Sequence, residues 1–382
     1  MYNLQKNVPE KLYGLDHLRA LAIALVFFSH YPSEKFPGKI LAIKDFGWVG
    51  VDLFFVLSGF LIAKQLFYEV KTQSQILIKQ FFIKRFFRII PVYLVVVTIY
   101  FFIPVFRERE SLPALWKFLT FTQNIGLNPA THGTFSHAWS LCVEEQFYLL
   151  FPLIIMASIY FKVTKRGAYF IAFLFIMTFL IRLLVWNHYI QPLVDDDNEE
   201  YNVMWIKWIY YPTYTRLDGL LTGISIAGLV TFYPHFKNRI MKYANVLLII
   251  GIIILGGAYL ISHERSEFSA NTFGYSLISI AFGFIVLAAI SPGCILYKIR
   301  SRITTSIAIL SYAVYLIHKG VTHLCLVYFA KLGVDKESYL MLLLSIVFTI
   351  LGALILRYTV EKPFLKLRDK LLARKTNPAL TP

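Results

Sequence analysis

Polar positions in this chain are sparse and grouped, and the apolar runs between them have the length of a membrane crossing. About 20 mostly apolar residues span a bilayer core as a helix. Ten segments fit that pattern: 15–31, 47–67, 89–106, 139–161, 167–186, 216–232, 244–262, 272–290, 306–330 and 339–359. The predicted fold is therefore all-α, a polytopic bundle of about ten transmembrane helices. Ser58-Gly59 lies inside the second run, which could break or re-enter the membrane there. The stretch 203–215, with Trp205, Trp208, Tyr210, Tyr211 and Pro212, reads as interfacial.

Composition strengthens this picture. Soluble domains carry about 45–50% apolar residues, whereas this chain of 382 residues carries 57%, with 34 Phe and 24 Tyr. Its net charge of +16 is divided among short segments and forms no basic domain, so it does not mark a nucleic-acid-binding protein. The charge reads instead as topology, because cytoplasmic loops carry the excess of Lys and Arg. Segments 64–88, 162–166, 233–243, 298–302 and 362–382 are basic, while the alternate segments hold most loop acids, including Asp195, Asp196, Asp197, Glu199 and Glu200. Both termini are thus expected in the cytoplasm, and the acidic run is read as a solvated outer loop. Cys142, Cys294 and Cys325 lack paired metal-ligand spacing and are assigned to packing, with no disulfide and no metal. The first apolar run has no small-residue cleavage site, so it is expected to be retained.

Ionisable residues inside apolar runs are expensive unless they face a partner or water. Eleven helical residues return to within about 20° of one face and rise about 16 Å, so Arg19 and His30 share a stripe, with Asp16 placed to hold Arg19 as an ion pair. Snorkelling of Arg19 to the interface, or a satisfied core imidazole at His30, would equally explain either residue alone. In "FFIKRFFRIIP", residues 81–91, Lys84, Arg85 and Arg88 cluster at one end of the third run, as a phosphate site or as a membrane anchor. "WSLCVEEQFYLLFP", residues 139–152, carries Glu144 and Glu145 within the fourth run; Glu145 points about 100° away, so only one of the two is expected to reach a shared site.

Three further sets are candidate acceptor or support groups. Arg216 and Asp218 in "RLDGLLTG" form either an internal ion pair or part of an acceptor site. Tyr315 and His318 in "SYAVYLIH" lie on one face, which suits structural hydrogen bonding. "GWVGVDLFFVLSGFL" places Asp52 in an apolar run and Ser58 beside a glycine; no base adjoins Ser58 in sequence to activate it as an acyl carrier.

These blocks, in this order, resemble the acyltransferase family 3 membrane proteins, which move acetyl or other short acyl groups onto hydroxyls of sugars and related acceptors. The resemblance runs from "LDHLRALAIALVFFSH" through "KRFFRIIPVY" and "WSLCVEEQFYLLFP" to "EKP" at 361–363. It implies a transferase unit over 1–362 followed by a short basic cytoplasmic segment, 363–382. By that resemblance Arg19 and His30 match the family's Arg, ten-residue gap, His motif, Arg85 and Arg88 match its donor-associated RxxR element, and Glu144 matches the acid five residues after the Trp. Some members add a C-terminal esterase-like domain, which is expected to be absent here.

The implied reaction takes an acyl group from cytoplasmic acyl-coenzyme A, acetyl-coenzyme A first among candidates, to a glycan or lipid-linked sugar hydroxyl in a multi-pass plasma (bacterial inner) membrane protein. Membrane lipid is a partner, nucleic acid is not, and a homodimer is compatible. Arg19, Lys84, Arg85 and Arg88 would hold the donor phosphates, His30 would take the acceptor's proton, and Glu144 would orient the imidazole. The competing class is a multi-pass transporter or flippase using the buried His, Arg and Glu as a relay.

Overall fold

The computed structural model describes residues 12–32, 44–109, 111–194, 199–262, 264 and 266–376. Asp195, Asp196 and Asp197 of the acidic run lie outside these. Among the described residues there is no strand, and each of the ten apolar runs is a helix. They are α1 (Tyr13–His30), α2 (Val49–Gln73), α3 (Ile78–Phe102), α4 (Trp139–Tyr160), α5 (Gly167–Val185), α6 (Asp218–Phe232), α7 (Ala244–Ile261), α8 (Tyr275–Ala289), α9 (Arg302–Lys331) and α10 (Tyr339–Leu356).

Eight of these segments are long and apolar enough to cross a membrane, and a ninth qualifies only if α6 is joined to Pro234–Met241, bent from it by 108°. Two of the ten runs, α1 and α6, miss that criterion for physical reasons. Asp16, His17, Arg19 and His30 dilute the hydropathy of α1, and α6, at 15 residues, is short for a bilayer core.

Two other expectations are corrected. The helix α2 runs unbroken through Ser58-Gly59, so there is no re-entrant break. The stretch 203–215 is not a wholly surface segment: Trp205, Ile209, Tyr210 and Tyr211 are buried in the bundle. At the other end, a wide turn over Arg357–Glu361 carries α10 directly into the helix Lys362–Thr376, so residue 362 falls inside continuous helix.

The helices α2 and α8 form the centre, with 72% of their most apolar windows buried, against 11% for the span containing α5. The outer faces of α5 and α7 expose Phe173, Ile176, Leu184, Ile249, Ile253 and Leu260, as lipid-facing helices must. The α2–α6 crossing is close because glycines face the partner backbone. A Cβ on Gly59 would run into the Leu220 carbonyl, and one on Gly223 into the Val56 carbonyl.

Registers follow from side-chain pairs. Asp16 accepts from Thr305 Oγ1 at 3.1 Å, and His30 meets His318 thirteen residues further along, so α1 and α9 lie side by side and run parallel. Phe55 packs on Trp139 and Phe67 on Phe151, so α2 and α4 are likewise parallel.

Candidate active site

A cavity of about 320 Å³ opens among α1, α2, α3, α4 and α9. One wall is a single stripe of α2: Phe54, Leu57, Ser58, Leu61, Ile62 and Gln65. That stripe advances eleven residues, so the cavity follows the helix for about 16 Å. From α4 it receives Ser140, Leu141, Glu144, Glu145 and Tyr148. At 100° per residue these cover an arc of about 140°, which is why both carboxylates, not one, face the cavity.

Three guanidinium groups converge here from two helices: Arg19 of α1 and Arg85 and Arg88 of α3. Arg19 is held by Asp16 at 3.8 Å, the ion pair expected from their spacing. Arg85 lies over the Tyr148 ring, 5.1 Å from its centroid. The Tyr148 hydroxyl hydrogen-bonds Ser58 Oγ, and Glu144 faces both hydroxyls and the Arg85 and Arg88 charges. Ser58 thus has a carboxylate neighbour that its sequence surroundings lack. Lys84, by contrast, is not among the lining residues; one residue from Arg85 on a helix, it points about 100° away.

Beyond the cavity lies a cluster of three imidazoles. His318 Nδ1 is 2.7 Å from the Tyr315 carbonyl, and His318 Nε2 is 3.1 Å from His30 Nδ1. A carbonyl oxygen only accepts, so His318 carries its proton on Nδ1 and, when neutral, accepts at Nε2. His30 must then donate from Nδ1, which leaves the lone pair of neutral His30 on Nε2. The group at His30 Nδ1 is therefore His318, whereas Glu144 sits with Ser58, Tyr148 and the arginines.

His137 completes the cluster, its ring centroid 4.8 Å from that of His318 and 6.0 Å from that of His30. It is delivered by a turn built on a strained residue. Phe135 has φ +55°, a left-handed conformation costly for a bulky side chain. Its N–H donates to Glu108 Oε1 at 3.0 Å and its ring stacks on Tyr100 at 4.3 Å, while Glu108 also pairs with Lys319, next to His318, at 3.5 Å.

Tyr315 belongs to both regions. It lines the cavity, yet its hydroxyl donates to the His137 carbonyl and bonds Ser140 Oγ at 2.6 Å, and its ring packs on His137 and His318. His30, His137 and His318 are not among the lining residues.

Asp52, Arg216 and Asp218 stand apart, and Arg216 does not pair with Asp218. Arg216 instead meets Asp52 at 2.8 Å inside a box of Trp139, Tyr210 and Tyr275, the last ring centroid 4.0 Å from the guanidinium carbon. Asp218 is gripped through both carboxylate oxygens by Arg182 and also accepts from Ser276 Oγ at 2.8 Å. These buried, matched pairs join α2, α5, α6 and α8 and act as structural supports.

Two participants are not singled out from the sequence. His137 sits outside the apolar run, two residues before Trp139, and reads as a loop histidine. Arg182 stands alone in α5 with no acid within helical reach, and that isolation was its available signal. All three cysteines are buried, and among the described residues no group of three or more His, Cys, Asp or Glu is arranged to hold a metal.

The family described as "Acyltransferase domain" matches residues 12–358, which takes in every residue of the cavity and of the histidine cluster. Among curated proteins the chain is similar to O-acetyltransferase OatA of Staphylococcus aureus strain NCTC 8325 / PS 47, 28% identical over 380 residues, covering 94% of this chain and 58% of that protein. OatA of strains COL and MRSA252 match with the same identity and coverage. The chain therefore spans under two thirds of the length of these relatives. No solved structure matches it. With ten helices in the expected order and the matched stretch covering all of them, the chain belongs to the acyltransferase family 3 membrane proteins.

Proposed function

We propose that this protein is a membrane O-acetyltransferase that moves a short acyl group from cytoplasmic acyl-coenzyme A to a hydroxyl of a cell-envelope glycan. The observation that carries the reading is the single cavity in which Arg19, Arg85 and Arg88 converge and whose lining includes Tyr315, the residue packed on the His30 cluster. A donor with several phosphates on a long thin arm suits that layout. Guanidinium groups hold phosphate oxygens by charge-assisted hydrogen bonds, and about 16 Å of channel accommodates the extended arm with its thioester toward Tyr315. The arginine end of α1 and of α3 adjoins the basic segments, which supports a cytoplasmic position for it and for both termini.

A sugar hydroxyl becomes an effective nucleophile when a positioned base takes its proton in the transition state. His30 Nε2 is that base. His318 fixes the tautomer by accepting from Nδ1, as a carboxylate does in other acyl-transfer sites. The acceptor oxygen then attacks the thioester carbonyl and the coenzyme thiolate leaves, taking up a proton. OatA's name as an O-acetyltransferase supports the acetyl group and the oxygen acceptor.

The test is to incubate the purified full chain in proteoliposomes with labelled acetyl-coenzyme A and an envelope glycan extract, scoring covalent product. Transfer that disappears in His30→Ala, with insertion unchanged, is the expected result. A correctly inserted His30→Ala variant with full activity would sink the assignment, and passage of a solute without covalent product would indicate a transporter.

A further inference from the structure

We infer that Tyr315, together with Phe54, is the end wall that limits acyl chain length, so that the donor is a thioester of a two- or three-carbon acid. This rests on the donor orientation proposed above and deepens it. Three observations carry it. Phe54 and Ser140 are the first residues of α2 and α4 to line the cavity and Tyr315, midway along α9, is the last of that helix to do so, and the Phe54 and Tyr315 rings meet edge to face at 6.4 Å and 76°. The wall is also rigid. The Tyr315 hydroxyl is held at two points, by Ser140 Oγ at 2.6 Å and by the His137 carbonyl, and a ring tethered at its tip cannot swing aside without losing both bonds. Finally, the ring is backed on its histidine side, where it packs on His137 at 5.7 Å and on His318 at 5.9 Å.

An arm anchored by its phosphates at Arg19, Arg85 and Arg88 has a fixed length, so its acyl end arrives at a fixed depth. Extra methylenes on the acyl group must then displace the Phe54 or Tyr315 ring. Packed interiors resist such insertion, and one methylene in a shaped apolar pocket changes specificity by roughly 10–200-fold.

The experiment compares acetyl-coenzyme A with butyryl-coenzyme A, by competition binding and by rate of thiol release with the glycan extract, for the wild-type chain, Phe54→Ala, Tyr315→Ala and Tyr315→Phe. The expected result is a wild-type preference for acetyl, and a butyryl-to-acetyl ratio that rises about tenfold or more in Phe54→Ala and Tyr315→Ala, and by less in Tyr315→Phe, which keeps the ring and loses its tethers. Because the readout is a ratio within one protein, general loss of activity does not move it. If Tyr315→Ala does not fold, Phe54→Ala and Tyr315→Phe decide. A ratio unchanged in every folded variant overturns the wall while leaving acyl transfer intact. Failure of the wild-type chain to bind either thioester would overturn the donor assignment itself, and the wall with it.

Discussion

His30 and His318 meet nitrogen to nitrogen, Nδ1 to Nε2 at 3.1 Å, across parallel helices that are 288 residues apart in the chain. The far nitrogen of His318 is bound to the Tyr315 carbonyl at 2.7 Å, so the proton positions along this chain of bonds are determined by one acceptor that cannot donate. In the proposed reaction two imidazoles so joined would divide the work: His30 would face the acceptor and His318 would set its tautomer.

Replacing His318 with Leu should therefore lower the turnover rate on the order of 10²-fold, the scale of general-base catalysis, with donor KM little changed. His318→Gln, whose amide oxygen still accepts from His30 Nδ1, should recover part of that loss. Initial rates of labelled acetyl transfer at saturating donor check this, and a His318→Leu enzyme with wild-type turnover would show that the contact is packing alone.

The cations divide by position. Arg19→Gln, Arg85→Gln and Arg88→Gln should each raise the donor KM about tenfold or more, since a charge-assisted hydrogen bond contributes about 1.5–3 kcal/mol. Lys84→Gln, outside the cavity, should leave KM within about twofold, in the range of an ordinary surface substitution. Steady-state kinetics on the four variants distinguish a phosphate site from a membrane anchor, because equal effects at Lys84 and Arg88 would mean that charge, and not the cavity, is what matters.

How much of this was legible in the sequence depends on the range of the interaction. Hydropathy located α1 to α10 because an apolar helical run is a local property, and the Asp16–Arg19 pair followed from a three-residue spacing. Partners joined by tertiary packing could not be read. Asp52 finds Arg216 across 164 positions, Asp218 finds Arg182 across 36, and Ser58 finds Tyr148 across 90. A buried charge announces that some partner exists without saying which. His137 was hidden for a related reason: the turn that buries it is held by Glu108 and Lys319 from two other segments.

The Asp52–Arg216 pair invites a stability test. Both groups are almost fully buried, so Asp52→Asn leaves a guanidinium without its countercharge and should cost about 3–5 kcal/mol. Removing both charges with Asp52→Leu and Arg216→Met together should be far milder than either single change, because no ion is then stranded. Thermal denaturation in detergent measures the difference, and additive losses in the double variant would contradict the reading of this pair as a mutually dependent support.

The glycines offer a comparison in which one chemical change has opposite outcomes. A methyl group on Gly59 or Gly223 meets a carbonyl of the facing helix, so Gly59→Ala and Gly223→Ala must push α2 and α6 apart. Since α2 carries one wall of the cavity, the displacement reaches Ser58, about 100° around the helix from Gly59, and Leu61 on the opposite face, and both variants should lose folded yield and transfer together. Nothing lies within 4 Å of the corresponding position on Gly256 or Gly257 in α7. There alanine meets no neighbour, and its helix preference of about 0.5–1 kcal/mol over glycine makes the substitution neutral or mildly stabilising. Size-exclusion profiles and melting temperatures of the four single variants separate the two pairs. If Gly59→Ala behaved like Gly256→Ala, the α2–α6 crossing would have to be looser than contact between Gly59 and the Leu220 carbonyl requires, and the cavity wall with it.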